Sequence, residues 1–332
     1  MTVTYRIFEH EREDRNRLFD LYAATYGDAA PYKERWEWEI QQNPASRDLK
    51  MFIAEHKGKI VGATTRFPFK MKVRDKTVDG AFSGNSMIHP AFRRRGIMER
   101  LYNEAAEVIP LLYSKGTMPG MYKLLMKIGY QPVSPNTYMA SILSPFRWFL
   151  WKTTKYRPKP DIKGIGSGHK NGFCVIMRFD DSYDAFWEKA ASSFPHIPIK
   201  DSSYMNWRYV EIPHRKYTVL CRKKGGRIIS VVVIRGNGTT AKIVDILWHR
   251  EDPSEPAQTI AYVKRHCMRC GFLKLLCWAT HEDLRSALKR NFFLDSGETL
   301  GFSVYSKKEA IDYFTNSLGF HFVEADGDSE YL

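Results

Sequence analysis

Three consecutive arginines and a glycine, Arg93, Arg94, Arg95 and Gly96, are the residues of this chain best suited to hold a phosphate. Each guanidinium presents a planar fork of donors that matches phosphate oxygens. Gly96 carries no Cβ and lets the backbone approach a ligand closely. A helix is predicted after it. Ile97, Leu101, Ala105, Val108 and Ile109 recur at helical spacing, with Glu99, Arg100, Asn103, Glu104 and Glu107 left for water. The first N–H groups of such a helix have no partner inside it, so basic loop and helix start together suit a phosphate or pyrophosphate. Upstream, residues 84–88 read as a short strand. It ends at His89-Pro90, because Pro90 has no N–H for the ladder.

A metal site fails on spacing. Cys267 and Cys270 form a lone CxxC with His266 beside it, and Cys277 and His281 do not supply the second pair that zinc requires. No metal is expected, and the thiols read as buried and free. Five cysteines and an N-terminus without an apolar leader fit a reducing compartment, so the expected location is cytoplasmic. No apolar run is long enough to span a membrane. The net charge of +14 suggests an anionic partner. Nucleic acid is not expected, since no RNP, KH or zinc-finger pattern occurs.

The chain has 332 residues, 43% of them hydrophobic, enough for two cores. Strands are expected at 3–8, 49–54, 60–67, 69–73, 78–82 and 111–114, with helices at 15–26 and 121–127. Residues 1–145 read as one domain. Residues 146–170 read as an exposed basic linker, in which seven Lys or Arg from Arg147 to Lys170 face one Asp. FRWFLW at 146–151 is expected to pack between domains. Residues 171–332 read as a second domain that repeats the order of the first: strands at 217–221, 228–234 and 242–248, a helix at 260–270, a strand at 273–278 and a helix at 284–290. IVDILW matches NSMIHP, and KRNFF matches MKIGY, at an offset of about 160 residues, which argues for duplicated architecture. The fold class is α/β, two tandem domains each with a mixed central sheet flanked by helices.

The run Arg93, Arg94-Arg95, Gly96, Ile97, Met98 after a strand resembles motif A of the GNAT, or Gcn5-related, acyltransferases. KIGY at 127–130 resembles their motif B, and Asn43-Pro44 and Ile60-Val61-Gly62 fit the same pattern. The tandem order and YMNWRY at 204–209 are similar to the double-GNAT type. This resemblance implies acetyl-CoA as co-substrate. The backbone of Arg93 to Met98 would hold its pyrophosphate, and Met87 and Ile88 would face its pantetheine arm. It implies an N-acyltransferase in which a primary amine, possibly that of an amino sugar, attacks the thioester directly. The family's usual glutamate base falls at Phe82, leaving Ser83, Asn85 and Ser86 as nearby polar groups. Its tyrosine acid falls at Leu125, and Tyr122, one turn earlier, is the substitute. Trp207, Arg208 and Tyr209 would help line an acceptor pocket. The alternative is a non-catalytic acyl-CoA-binding or scaffold protein. In the second copy HREDPSEPAQ follows the central strand, with Glu251, Asp252 and Glu255 where phosphates would lie, so a single CoA site in the first half is expected.

Overall fold

The computed structural model describes residues 2–9, 12–74, 76–133, 137–161, 172–249, 251–306 and 321–326. They form two compact units. The first contains β1 (Thr4–Ile7), α1 (Arg12–Tyr26), α2 (Ala30–Trp36), a π turn (Glu37–Gln41), β2 (Lys50–His56), β3 (Lys59–Val73), β4 (Lys76–Ile88), α3 (Ile97–Val108), β5 (Leu111–Lys115), α4 (Pro119–Lys127) and β6 (Gln131–Pro132). The second contains β7 (Thr137–Ile142), α5 (Pro145–Thr153), β8 (Phe173–Ile176), α6 (Asp181–Ser192), β9 (His196–Pro198), α7 (Ser202–Met205), a π turn (Asn206–Val210), β10 (Thr218–Lys224), β11 (Arg227–Asn237), β12 (Thr240–Trp248), α8 (Glu255–Arg269), β13 (Lys274–Trp278), α9 (Glu282–Arg290) and β14 (Leu294–Thr299). The last strand, β15 (Phe302–Ser306), belongs to the first unit.

Along the first sheet the order is β1-β2-β3-β4-β5-β15-β6; along the second it is β14-β7-β13-β12-β11-β10-β8. Each is mixed. β4 and β5 are parallel, as are β12 and β13, and the hairpins before them are antiparallel. The architecture is therefore repeated, as the matching segments predicted. The two π turns repeat as well: each ends three residues before a proline, Pro44 or Pro213.

Three local expectations change. First, the sheets exchange strands. β7, from the end of the first half, pairs with β13 and β14, while β15 pairs with β5 and β6. A cut at residue 145 thus does not follow the sheets. Second, β3 and β4 are each continuous where breaks were expected. Pro68 is tolerated because β2 ends where Lys50 pairs with Arg66, so the missing N–H removes no bond to that neighbour. Third, the start of the expected linker is helix α5, with Pro145 in its first turn, and none of its residues is buried. Within FRWFLW, Phe146 and Phe149 are exposed, and Arg147, Trp148, Leu150 and Trp151 are half-buried. Residues 162–170 of the expected linker lie outside the described residues.

Candidate functional site

The parallel register of β4 and β5 runs only over Ala81↔Leu112 and Phe82↔Tyr113, although β4 continues to Ile88. The two strands part there. Phe82 sits at the fork, its ring 4.9 Å from Phe67 and 5.7 Å from Tyr113. Beyond it, Ser83 to Ile88 form one side of the opening. At Asn85 the backbone is left-handed, φ +48°, which interrupts the alternation of side chains. The Asn85 amide donates to Glu39 Oε1 at 3.3 Å, and Arg35 Nη2 lies 3.5 Å from Asn85 Oδ1. Glu39 is fully buried and pairs with Arg35 at 3.6 Å.

At the mouth of the opening, His89 Nδ1 accepts from Ala91 N–H and starts a short turn through Phe92. Arg93, Arg94, Arg95 and Gly96 follow, all exposed. Arg94 and Gly96 are both left-handed, and Gly96 is the N-cap of α3 with no side chain over the helix start. The N–H groups of the first turn therefore face outward beside three guanidinium groups. Gly62 seats this corner. A Cβ there would come within 2.7 Å of Ile88 Cδ1 and 3.0 Å of Ile97 Cγ2. Ile88 and Ile97 pack with Phe52, Ala54, Val61 and Leu101, Met87 is buried, and Met98 packs against Ala81, Tyr102 and Leu125. These four side chains are thus given to packing, and what they can offer a ligand is backbone.

Ser83 is buried, with its hydroxyl beside that of Tyr130. Burial raises the Tyr130 pKa, and the charge of Arg66 opposes the rise. Arg66 is fully buried. Its guanidinium lies 4.0 Å from the Tyr102 ring centroid and donates to Thr64 Oγ1 at 2.5 Å. Thr64 and Tyr102 in turn hold the Ser86 hydroxyl, at 2.7 and 3.0 Å. Tyr122 is half-buried on α4, where its ring packs on Gly301: a Cβ at that glycine would be 3.2 Å from Tyr122 Cδ2. Leu125 is fully buried. Sequence reasoning singled out neither the Arg35–Glu39 pair nor Arg66.

The second unit has the same fork, but it is filled. β12 and β13 are in register from Thr240↔Lys274 to Ile243↔Cys277, and β12 runs on to Trp248. The segment His321–Asp326 occupies the gap. Ala325 N–H donates to Val244 O at 3.1 Å, His321 Nε2 meets Ile246 O at 2.8 Å, and Thr280 N–H donates to Phe322 O at 3.2 Å. Burial first, then Lys200, holds the His321 pKa well below the usual range, so the neutral ring donates from Nε2. Lys200 is fully buried between Asp245 at 2.9 Å and Asp326 at 2.8 Å. Trp207, Arg208 and Tyr209 are also buried here, inside the unit. Arg208 donates to Ala325 O at 3.2 Å, and Tyr209 OH donates to Asp245 at 2.7 Å. Of the three, Arg208 bonds the segment directly, and all three face the interior. At the start of α8, Glu255 is buried and takes bonds from Arg222 and Ser230, both at 2.7 Å. Both helices carry a carboxylate in the first turn, but Glu255 of α8 is buried, whereas Glu99 of α3 is partly exposed and takes a bond from Lys127 at 2.8 Å. Cys267 is buried on α8, which pushes its thiol pKa up.

Residues 6–131 match the family model of the acetyltransferase (GNAT) domain. No curated protein sequence matches the chain. The fold is shared with solved structures. A probable N-acyltransferase of unknown function from Enterococcus faecalis is 13% identical with a TM-score of 0.62, over 92% of this chain and 73% of that one. N-myristoyltransferase of Saccharomyces cerevisiae with bound myristoyl-CoA is 12% identical, TM-score 0.57, over 91% and 82%. A GCN5-related N-acetyltransferase from Anabaena variabilis is 10% identical, TM-score 0.60, over 91% and 72%. Among the described residues no helix is long and apolar enough to cross a membrane.

Proposed function

We propose that the chain is an acyl-CoA-dependent N-acyltransferase whose reaction takes place in the β4–β5 opening of the first unit. The observation that carries this reading is the fork at Phe82 with an arginine-rich helix start at its mouth. The backbone of Arg93 to Met98 and the guanidinium groups hold the pyrophosphate. The freed edge of β4 around Met87 and Ile88 pairs with the pantetheine arm, as one more strand would. A β4 N–H polarises the thioester carbonyl, and the amine attacks it directly. The thiolate then leaves and takes the proton of Tyr122. Ser83 and Asn85 have no basic nitrogen, so their part is to orient. Asn85 already donates to Glu39, and that carboxylate is the group in this cluster able to accept a proton. The acyl group is acetyl and the acceptor a small primary amine of the amino-sugar kind, acting in the cytoplasm.

The test is CoA release from acyl-CoAs of increasing chain length against a set of amines. Release should require an amine and should add the acyl mass to it. Tyr122→Phe should lower turnover roughly a hundredfold while leaving acyl-CoA affinity unchanged. CoA binding without release for any amine would instead favour the binding-protein reading.

A further inference from the structure

Helix α5 plays no part in the site above. None of its residues is buried, and Phe146 and Phe149, three residues apart on one face, are 71% and 57% exposed. Such aromatic exposure is unusual on a surface that meets only water. Beside them Lys152 Nζ lies 5.8 Å from the Trp148 ring centroid and 4.7 Å from that of Trp151. The chain leaving the helix carries exposed Lys155, Arg157 and Lys159, and no acidic residue occurs between Glu107 and Asp161. This stretch is anchored within the second unit. Arg147 Nε donates to Tyr156 OH at 3.1 Å, and Asp161 N–H donates to Cys270 O at 2.8 Å. Gly271 faces it so closely that a Cβ there would be 3.5 Å from Pro160 Cα.

The geometry points to a docking surface for an anionic lipid bilayer, with Phe146 and Phe149 entering the boundary between headgroups and acyl chains and the cations resting on lipid phosphates. A phenylalanine side chain needs an apolar medium, and the bilayer supplies one directly beneath a layer of phosphates. That order matches an apolar tip with a cationic collar. The helix lies on such a surface and does not span it, since its nine residues are too few. Single-stranded nucleic acid would satisfy the cations, but it needs open ring faces along a groove. Here Lys152 lies against both tryptophans, and the phenylalanines stand out from a helix surface.

Flotation of the full chain with vesicles tests this. It should float with phosphatidylcholine mixed with an equal part of phosphatidylglycerol, and stay behind with phosphatidylcholine alone. The pair Phe146→Asp and Phe149→Asp should lower partitioning at least about tenfold without changing the melting temperature. Lys155→Gln, Arg157→Gln and Lys159→Gln together should lower it roughly a hundredfold, since each charge near the surface is worth about a factor of five. Absence of flotation, or equal flotation of wild type and variants, overturns the proposal. Binding of a single-stranded oligonucleotide that the phenylalanine pair abolishes, with no flotation, would make this a nucleic-acid surface. A dimer that the same pair dissociates, with no flotation, would make it an interface between copies.

Discussion

Gly96→Glu should cost the chain its acyl-CoA affinity by roughly a hundredfold or more, read by calorimetry. Two effects combine. A Cβ at this position meets nothing within 4 Å, so the larger side chain fits, but it brings a carboxylate to the point where the pyrophosphate is held. The residue is also left-handed, φ +73°, which costs a non-glycine residue about 1 kcal/mol and loosens the helix start. The first effect acts on binding and the second on stability. The melting temperature should therefore fall by only a few degrees while binding is lost. Equal affinity in wild type and variant would remove the phosphate site from this loop.

Lys200→Met should destabilise the second unit by about 3–5 kcal/mol. Lys200 is fully buried, and its two partners, Asp245 and Asp326, are also buried. Without the ammonium, two carboxylates are left close together in the interior, and burial already raises the Asp245 pKa. For a unit of this size the melting midpoint should drop by roughly 10 °C. Adding Asp245→Asn should recover part of the loss, because one uncompensated charge is then removed. Hydrogen exchange at Ala325, whose N–H is bonded to Val244, should rise in the single variant. An unchanged midpoint would mean that the segment His321–Asp326 is held without this ion cluster.

What could be read from the sequence was local. Pro90 ends a strand, Gly96 opens a helix, and the spacing of Ile97, Leu101 and Ala105 marks its buried face, although Val108, expected on that face, is exposed; all three act within a few residues. The opening could only be half read. Its basic loop is visible in the residue types, but the fork depends on where the parallel register of β4 and β5 stops, at Phe82 and Tyr113, far apart in the chain. The exchange of β7 and β15 between sheets was hidden for the same reason, since a five- or six-residue strand carries no mark of which sheet it joins. The filled fork of the second unit depends on a segment about 80 residues beyond β12, and long-range pairing of that kind has no local pattern. The acidic loop after β12 did signal that this half differs, and buried Glu255 is its structural counterpart.

Arg35, Glu39 and Arg66 were missed because they resemble surface residues in the sequence. Glu39 lies in WEWEI, where the eye assigns charges to water. The π turn over Glu37–Gln41 adds a residue per turn and so rotates Glu39 inward, against Arg35 and Asn85. Arg66 lies within a strand of small and aromatic residues, and its contact with Tyr102 of α3 comes from a residue distant in the chain. Trp207, Arg208 and Tyr209 show the reverse error. Their types suggest a binding surface, yet all three are buried on the second π turn, where Arg208 donates to Ala325 O and Tyr209 to Asp245.

We propose one acyl-CoA per chain, held by the open fork of the first unit while the second fork is closed by His321–Asp326. Native mass spectrometry of the full chain at saturating acetyl-CoA tests it most directly. One bound molecule per chain, lost in Gly96→Glu, is the predicted result. No bound molecule, or two with the second retained in Gly96→Glu, would contradict it.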